Sequence, residues 1–137
     1  MANVVTVQLI EQGVRNTVVK WTGLLDTSDE VYNVKLLPTT IGIIPVPSQW
    51  RLDYVWWSVS DGLEVQLFWD ATSPTLIGAY AGRGKMDYWS FGGLQNNAGA
   101  GKTGGVGLSA ISLPGVTYTA GKPLTYSMTL ELVKQGV

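Results

Sequence analysis

The fold of this chain is constrained most by residues 51–70, in which apolar and polar side chains alternate on both sides of a turn. The stretch reads RLDYVWWSVSDGLEVQLFWD, and two β-rich runs flank Ser60–Asp61–Gly62. A period of two residues places alternate side chains on opposite faces of a strand. Asp-Gly between two such runs is a strong hairpin signal. We therefore predict two strands here, joined by a tight turn into a hairpin.

The register of this predicted hairpin follows from burial. A two-residue turn mixes polar and apolar side chains on each face, whereas a three-residue turn with a left-handed Gly62 and a bulge separates them. Trp57 then lies inside the fold and Trp56 outside. The apolar face consists of Val55, Trp57, Val59, Leu63, Val65, Leu67 and Trp69. The other face has three aromatic side chains that need a cover, and it consists of Tyr54, Trp56, Ser58, Glu64, Gln66 and Phe68.

The rest of the chain repeats this alternation in short segments separated by turn residues. Near the start, Val5, Val7 and Leu9 share one face of a predicted strand, and residues 124–134 alternate over a long run. Residues 38–49 contain three prolines, so they form an edge segment or a crossing connection. No stretch shows a sustained helical period. We predict one all-β domain over residues 1–137, an antiparallel β-sandwich that is jelly-roll-like, with an immunoglobulin-like sandwich as the alternative.

A glycine-rich loop is predicted near residues 92–107, and it contains a fragment of a nucleotide-binding motif. Gly101, Lys102 and Thr103 match the second half of G-x-x-x-x-G-K-[ST], but Asn96 stands where the first glycine belongs. Phosphate binding also requires a helix immediately after the loop. The glycines and the proline that follow disfavour a helix. We therefore expect a flexible loop that binds no nucleotide.

Composition excludes several classes of function. The chain has no cysteine and no histidine, which removes the usual zinc, haem, iron–sulfur and copper sites and a Ser-His-Asp triad. Of the ten carboxylates, most fit turns or polar strand faces, while Asp53, Asp70 and Asp87 lie beside aromatic residues. We expect no metal, no cofactor and no enzymatic activity.

Partners are limited in the same way. A net charge of −1 with scattered cations argues against nucleic acid. No apolar run approaches the roughly 20 residues of a membrane span. The first residues, MANVVTVQLIEQG, lack the basic region and long apolar run of a signal peptide. We expect a soluble protein that is not secreted.

The candidate site is a set of aromatic and basic side chains. Charged residues are only 14% of the chain, against about 25% in an ordinary soluble domain. The aromatic rings fit three roles: stacking on sugars, burial between subunits, or a second core layer under the glycine-rich loop. Arginine beside tryptophan and tyrosine is typical of interfaces, and Arg83 and Lys85 lie next to these aromatic residues in the sequence. The candidate interface residues are Tyr54, Trp56, Phe68, Arg83, Lys85, Tyr88, Trp89 and Phe91.

Residues 54–134 resemble small structural proteins of tailed bacteriophages. The shared features are the aromatic hairpin, WDA before a proline turn, GRGK, GGL, a glycine-rich G-K-T-G loop and the closing YSMTLELVK. By size and composition, the chain is most similar to capsid decoration, or cement, proteins. The resemblance implies a non-enzymatic, β-rich homo-oligomer, typically a trimer, that binds the major capsid protein and stabilises the head. It also implies a place on the outer surface of the capsid in the virion, after assembly in the host cytoplasm. The alternative is a carbohydrate-binding or tail-associated adhesion module.

Overall fold

The computed structural model describes residues 3–40, 42–119 and 121–136. Nine strands and a one-turn 3-10 helix, η1, make up the regular structure of this part of the chain. Their bounds are β1 (Val4–Gln12), β2 (Asn16–Leu25), β3 (Glu30–Leu36), β4 (Gln49–Val59), β5 (Leu63–Trp69), β6 (Thr75–Tyr80), β7 (Arg83–Asp87), η1 (Trp89–Phe91), β8 (Val106–Ser112) and β9 (Leu124–Gln135).

The strands form two antiparallel sheets, a five-stranded one in the order β1-β2-β9-β4-β7 and a four-stranded one in the order β3-β8-β5-β6. If the strands are counted with β2 as the first, the order β2-β9-β4-β7 becomes 1-8-3-6 in one sheet, and the order β3-β8-β5-β6 becomes 2-7-4-5 in the other. This is the strand order of a jelly roll. The predicted jelly-roll-like sandwich is confirmed. The immunoglobulin-like alternative is wrong, because its sheets combine the strands in another order. Strand β1 is an addition at the edge.

The core lies between the two sheets and is built by alternation along the strands. In β2 and β5, every second residue is buried. Trp21, Trp50 and Trp69 are fully buried, and they come from both sheets. Burying an aromatic side chain of this size is among the largest single contributions to the stability of a domain. The proline-rich segment between β3 and β4, described at residues 37–40 and 42–48, crosses from one sheet to the other, which is one of the two predicted roles.

The predicted hairpin of β4 and β5 is wrong. Strand β4 pairs with β9 and β7, while β5 pairs with β8 and β6, so the two strands lie in different sheets. The turn itself has the expected form. Leu63 N donates to Ser60 O at 3.3 Å, and Gly62 has a φ of +88°, which favours glycine. The turn forms an arch that carries the chain from one sheet to the other.

The predicted faces of these two strands are nevertheless correct. Six of the seven residues on the predicted apolar face are buried, and Trp57 is half-buried against Tyr80, with 4.7 Å between the ring centroids. Two strands that face each other across a core show the same alternation as two strands paired in one sheet. Burial therefore determines which side chains point inward, but it does not determine the hydrogen-bonding partner of a strand.

A polar contact joins the two sheets at the end where β3 begins. Glu30 of β3 accepts a hydrogen bond from the Tyr126 hydroxyl of β9 at 2.5 Å and one from Asn33 Nδ2 at 2.9 Å. Lys35 Nζ lies 2.5 Å from Glu30 Oε2, the oxygen that also accepts from Asn33, while Tyr126 donates to the other oxygen, Oε1. The Tyr126 ring covers Gly23, where a Cβ would collide with it. A buried carboxylate with these partners is satisfied, so the network aligns the sheets without leaving an unpaired charge.

Replacing Tyr126 by phenylalanine tests this contact through its pH dependence. Burial and the bond to Glu30 raise the pKa of Tyr126 above its ordinary value of 10.0. The folded state then keeps a proton that the unfolded state loses, so this stabilisation is complete below about pH 10 and declines as the pH rises. We expect Tyr126→Phe to destabilise the fold by about 1–3 kcal/mol at neutral pH. The variant should also lose stability less steeply above pH 10. Urea unfolding over a pH series measures both effects, and parallel pH profiles would contradict the second.

Candidate interaction surfaces

Tyr54 and Trp56 lie together on the outer face of the five-stranded sheet. Their rings stack with centroids 5.5 Å apart at an interplanar angle of 21°. Lys85, directly opposite Trp56 on the neighbouring edge strand β7, places Nζ 5.3 Å from the Tyr54 centroid and 5.6 Å from the Trp56 centroid. Cation–π contacts of this kind are worth about 0.5–1 kcal/mol at exposed sites. The group of three fastens β7 to β4, and each ring turns one face to the other ring rather than to solvent.

Phe68 lies on the opposite side of the molecule from that pair. Its strand, β5, belongs to the four-stranded sheet, so its outward side chain faces away from Tyr54 and Trp56. The ring contacts Tyr32 edge-on, at 5.3 Å and 89°, and its cross-strand neighbour Leu76 is 52% exposed. The expectation that Tyr54, Trp56 and Phe68 share one face is wrong, because it assumed that β4 and β5 pair in one sheet.

Trp89 and Phe91 form the most exposed aromatic feature of the described residues. They lie in η1, directly after β7, and they are 60% and 80% exposed. Between them, Ser90 donates through its backbone N and its hydroxyl to the two carboxylate oxygens of Asp87, at 3.1 Å and 2.8 Å. These bonds lower the pKa of Asp87, although burial opposes the shift. The two rings are therefore held on a fixed turn, which we call the aromatic tip.

Tyr88 attaches the aromatic tip to the sandwich. Its backbone N donates to Asp53 O at 2.8 Å, and its ring packs against the core with the hydroxyl 3.4 Å from that of Tyr80. The two basic candidate residues, Arg83 and Lys85, are not grouped at the tip. Lys85 lies over the Tyr54 and Trp56 rings, and Arg83 is exposed at the other end of β7. Of the eight candidate residues, the structure brings Tyr88, Trp89 and Phe91 together, and separately Tyr54, Trp56 and Lys85.

The glycine-rich loop is held by the chain's own residues. Leu94 exchanges backbone hydrogen bonds with Leu52, at 2.8 Å and 3.0 Å. Asp70 accepts from the Thr103 hydroxyl at 2.7 Å and from the Tyr32 hydroxyl at 2.5 Å. The end of the predicted 92–107 segment differs from the structure, because β8 already begins at Val106. A strand therefore stands where a phosphate-binding loop requires a helix, and the prediction that no helix starts there is confirmed.

The three carboxylates that the sequence places beside aromatic residues each have a local partner. Asp53 is paired with Arg51, whose Nε lies 2.9 Å from Oδ1. Asp70 holds the glycine-rich loop, and Asp87 holds the aromatic tip. Within residues 3–40, 42–119 and 121–136, no cluster of three or more acidic side chains suits a metal ion.

Strand β1 is an apolar surface that the sequence analysis missed. Val5, Val7 and Leu9 share one face, as predicted, yet they are 45%, 47% and 36% exposed. On the outward side and at the bulge, Val4 and Ile10 are 55% and 49% exposed. The five-stranded sheet has one strand more than the sheet opposite, and β1 is that edge strand. The sequence signal is an uncharged run, VVTVQLI, but the same run also fits a buried strand.

Comparison with protein-family models, with curated proteins and with solved structures found no match. Among the described residues, no helix has the length and the apolar character that a membrane crossing needs.

We expect Asp70→Ala to loosen the glycine-rich loop. The substitution removes the acceptor for Thr103 and Tyr32, whose hydroxyls lose their bonds to this side chain. The stability cost should be about 1–3 kcal/mol. Hydrogen exchange followed by mass spectrometry should show faster exchange in residues 98–105 and no change in β9. Asp61→Ala, in the exposed arch, is the matched control and should leave this loop unchanged.

Proposed function

We propose that this protein is a non-enzymatic structural component of a tailed-bacteriophage virion, of the capsid decoration type. In this proposal it sits on the outer surface of the capsid, binds the major capsid protein and associates with other copies of itself. The resemblance of residues 54–134 to phage structural proteins suggests the class. The single observation that carries the binding role is the aromatic tip, where Trp89 and Phe91 are 60% and 80% exposed.

The geometry of the aromatic tip suits an anchor for a protein partner. Aromatic side chains that fill pockets dominate the energy of protein interfaces. A side chain held before binding loses less conformational entropy on association than a mobile one. Asp87 holds the turn by accepting bonds from Ser90, and Tyr88 attaches it to β4 through its backbone bond to Asp53. The tip therefore presents two large apolar side chains on a fixed backbone.

A repeating shell is the kind of partner that such a small contact serves. Two aromatic anchors give modest affinity at one site, but copies joined to one another engage several identical sites at once. Linking binding events in this way raises the overall affinity by large factors without new contacts. A protein that binds several capsid sites at once in this way needs a stiff scaffold, and the jelly roll with its inter-sheet Glu30–Tyr126 bond provides one.

A carbohydrate-binding or tail-associated adhesion role is the second candidate, and Trp89 is the observation that favours it. A single exposed indole can stack on a sugar ring. The Tyr54 and Trp56 rings support this role less, because they stack on each other and lie close to Lys85. The two roles predict different losses when Trp89 is removed.

The test uses heads stripped of this protein and counts the copies that rebind. We expect Trp89→Ala and Phe91→Ala to lower the affinity for heads at least about tenfold each. Both side chains are exposed, so thermal unfolding should change little. Leu76→Ala, on an exposed leucine of β6, is the control and should bind normally. Heads that take up wild type and the tip variants equally would contradict the role of the tip. Glycan binding that depends on Trp89, with no binding to heads, would favour the second candidate.

A further inference from the structure

Strand β1 has two features to which a partner can bind, an unpaired backbone edge and a row of exposed apolar side chains. It pairs with β2 on one side only, and no strand of the described residues pairs with its other side. Its outer edge therefore carries a row of backbone N–H and C=O groups that a further strand can pair with. Five apolar side chains accompany this edge, and they are Val4, Val5, Val7, Leu9 and Ile10. Soluble monomers seldom leave a contiguous apolar surface of more than a few hundred Å² exposed.

The usual protection of an edge strand is missing over most of β1. Natural edge strands are shortened, or they carry lysine, proline or an inward-pointing charge that prevents pairing with another chain. Strand β1 is nine residues long, and residues 4–10 contain neither a charge nor a proline. Its one irregularity, the bulge between Leu9 and Glu11, lies at the far end. Another edge strand with unpaired backbone N–H and C=O groups can therefore pair with β1 from Val4 to Leu9.

The side chains of β1 are complementary to themselves about Val7. When two copies of the strand run antiparallel with Val7 opposite Val7, Val5 lies opposite Leu9 and Thr6 lies opposite Gln8. Val5, Val7 and Leu9 then meet apolar partners on the inward face, and Thr6 and Gln8 meet each other on the outward face, which is the pairing that stabilises sheets. Shifting the centre to Thr6 places Val4 opposite Gln8, and shifting it to Gln8 places Val5 opposite Glu11. Only the Val7 centre matches both faces.

We propose that β1 is the surface through which the protein pairs with a second copy of itself, antiparallel and centred on Val7. The two five-stranded sheets then join into one continuous sheet across a two-fold axis, an isologous contact. The backbone ladder fixes the orientation, and the valine and leucine side chains contact each other across the junction. This pairing goes beyond the proposed function, because it requires no capsid. It also gives a dimer, whereas the resemblance to decoration proteins implies a trimer, and the mass in solution distinguishes the two.

The absence of cysteine from the chain permits a clean cross-linking test. In an antiparallel pair, the Cα atoms of opposed residues lie about 4.5–5.5 Å apart, which is within the range that a disulfide spans. Under mild oxidation, we expect Val7→Cys to form a covalent dimer. Val31→Cys, at a 79% exposed valine on the edge strand of the other sheet, is the matched control. If Val7→Cys cross-links no faster than Val31→Cys, the pairing is wrong.

Opposite charges introduced at Val7 test the same register without a covalent bond. We expect wild type to have twice the 14.8 kDa mass of one chain in sedimentation or light scattering. Val7→Lys should be monomeric and folded, because Val7 is half exposed in the single chain and two lysines would meet across the axis. Val7→Glu should also be monomeric, and an equimolar mixture of the two variants should dimerise. Val31→Lys should dimerise like wild type.

Several results would overturn the proposal. These are a monomeric wild type, a trimer, a dimer that persists in Val7→Lys, or a mixture that stays monomeric although both variants are folded by circular dichroism. Each of these leaves the binding of heads by the aromatic tip unaffected, because Val7 lies in β1 and Trp89 lies in η1. Loss of head binding in the tip variants, with dimers intact, would in turn leave the β1 pairing standing.

Discussion

The apolar layer between the two sheets is the interaction on which the rest of the molecule depends. Trp21, Trp50 and Trp69 fill it from both sides, and every connection except β1–β2 and β5–β6 carries the chain across it. Because neighbours in sequence so often lie in opposite sheets, every strand except β1 and β6 needs a hydrogen-bonding partner from a distant part of the chain. The core is therefore what holds these partners in place. The Glu30–Tyr126 bond adds a fixed alignment that apolar contacts alone do not specify.

Much of this layer could be predicted from alternation, but its connectivity could not. The inward side chains of β5 were identified from residues 51–70, and so were Val55, Trp57 and Val59 of β4, because alternation with a period of two indicates which side chains are buried. The buried Trp50 and Leu52 of β4 were not identified. The same pattern does not distinguish an arch from a hairpin, and Asp-Gly suits both turns. Strand β7, RGKMD, shows no alternation of apolar and polar residues, because this edge strand has no buried side chains. Its Lys85 side chain instead contacts the Trp56 ring of β4. The sandwich class followed from the sequence, while the choice of sheet for each strand required the whole fold.

The candidate surfaces, too, could be predicted from the sequence only in part. Composition predicts Trp89 and Phe91 as candidate interface residues, and the structure places both on one exposed turn. The sequence could not foresee that Phe68 lies across the molecule from Trp56, because that depends on which sheet β5 joins. Nor could it separate β1 from a buried strand. Val5, Val7 and Leu9 alternate as core residues do, and their exposure arises only because one sheet is a strand wider than the other.

The position of β9 has a consequence for how the chain is made. This strand, residues 124–135, lies between β2 and β4, so each of them lacks one of its two neighbours in the sheet until these residues have left the ribosome. Until then, β2 and β4 each have one unpaired edge, and Trp21, Trp50 and Trp69, which later become buried, have already been made. Such intermediates are prone to aggregate, and non-local pairing of this kind is slow. Translation rate and the chaperones that hold nascent chains should therefore affect the yield of this protein.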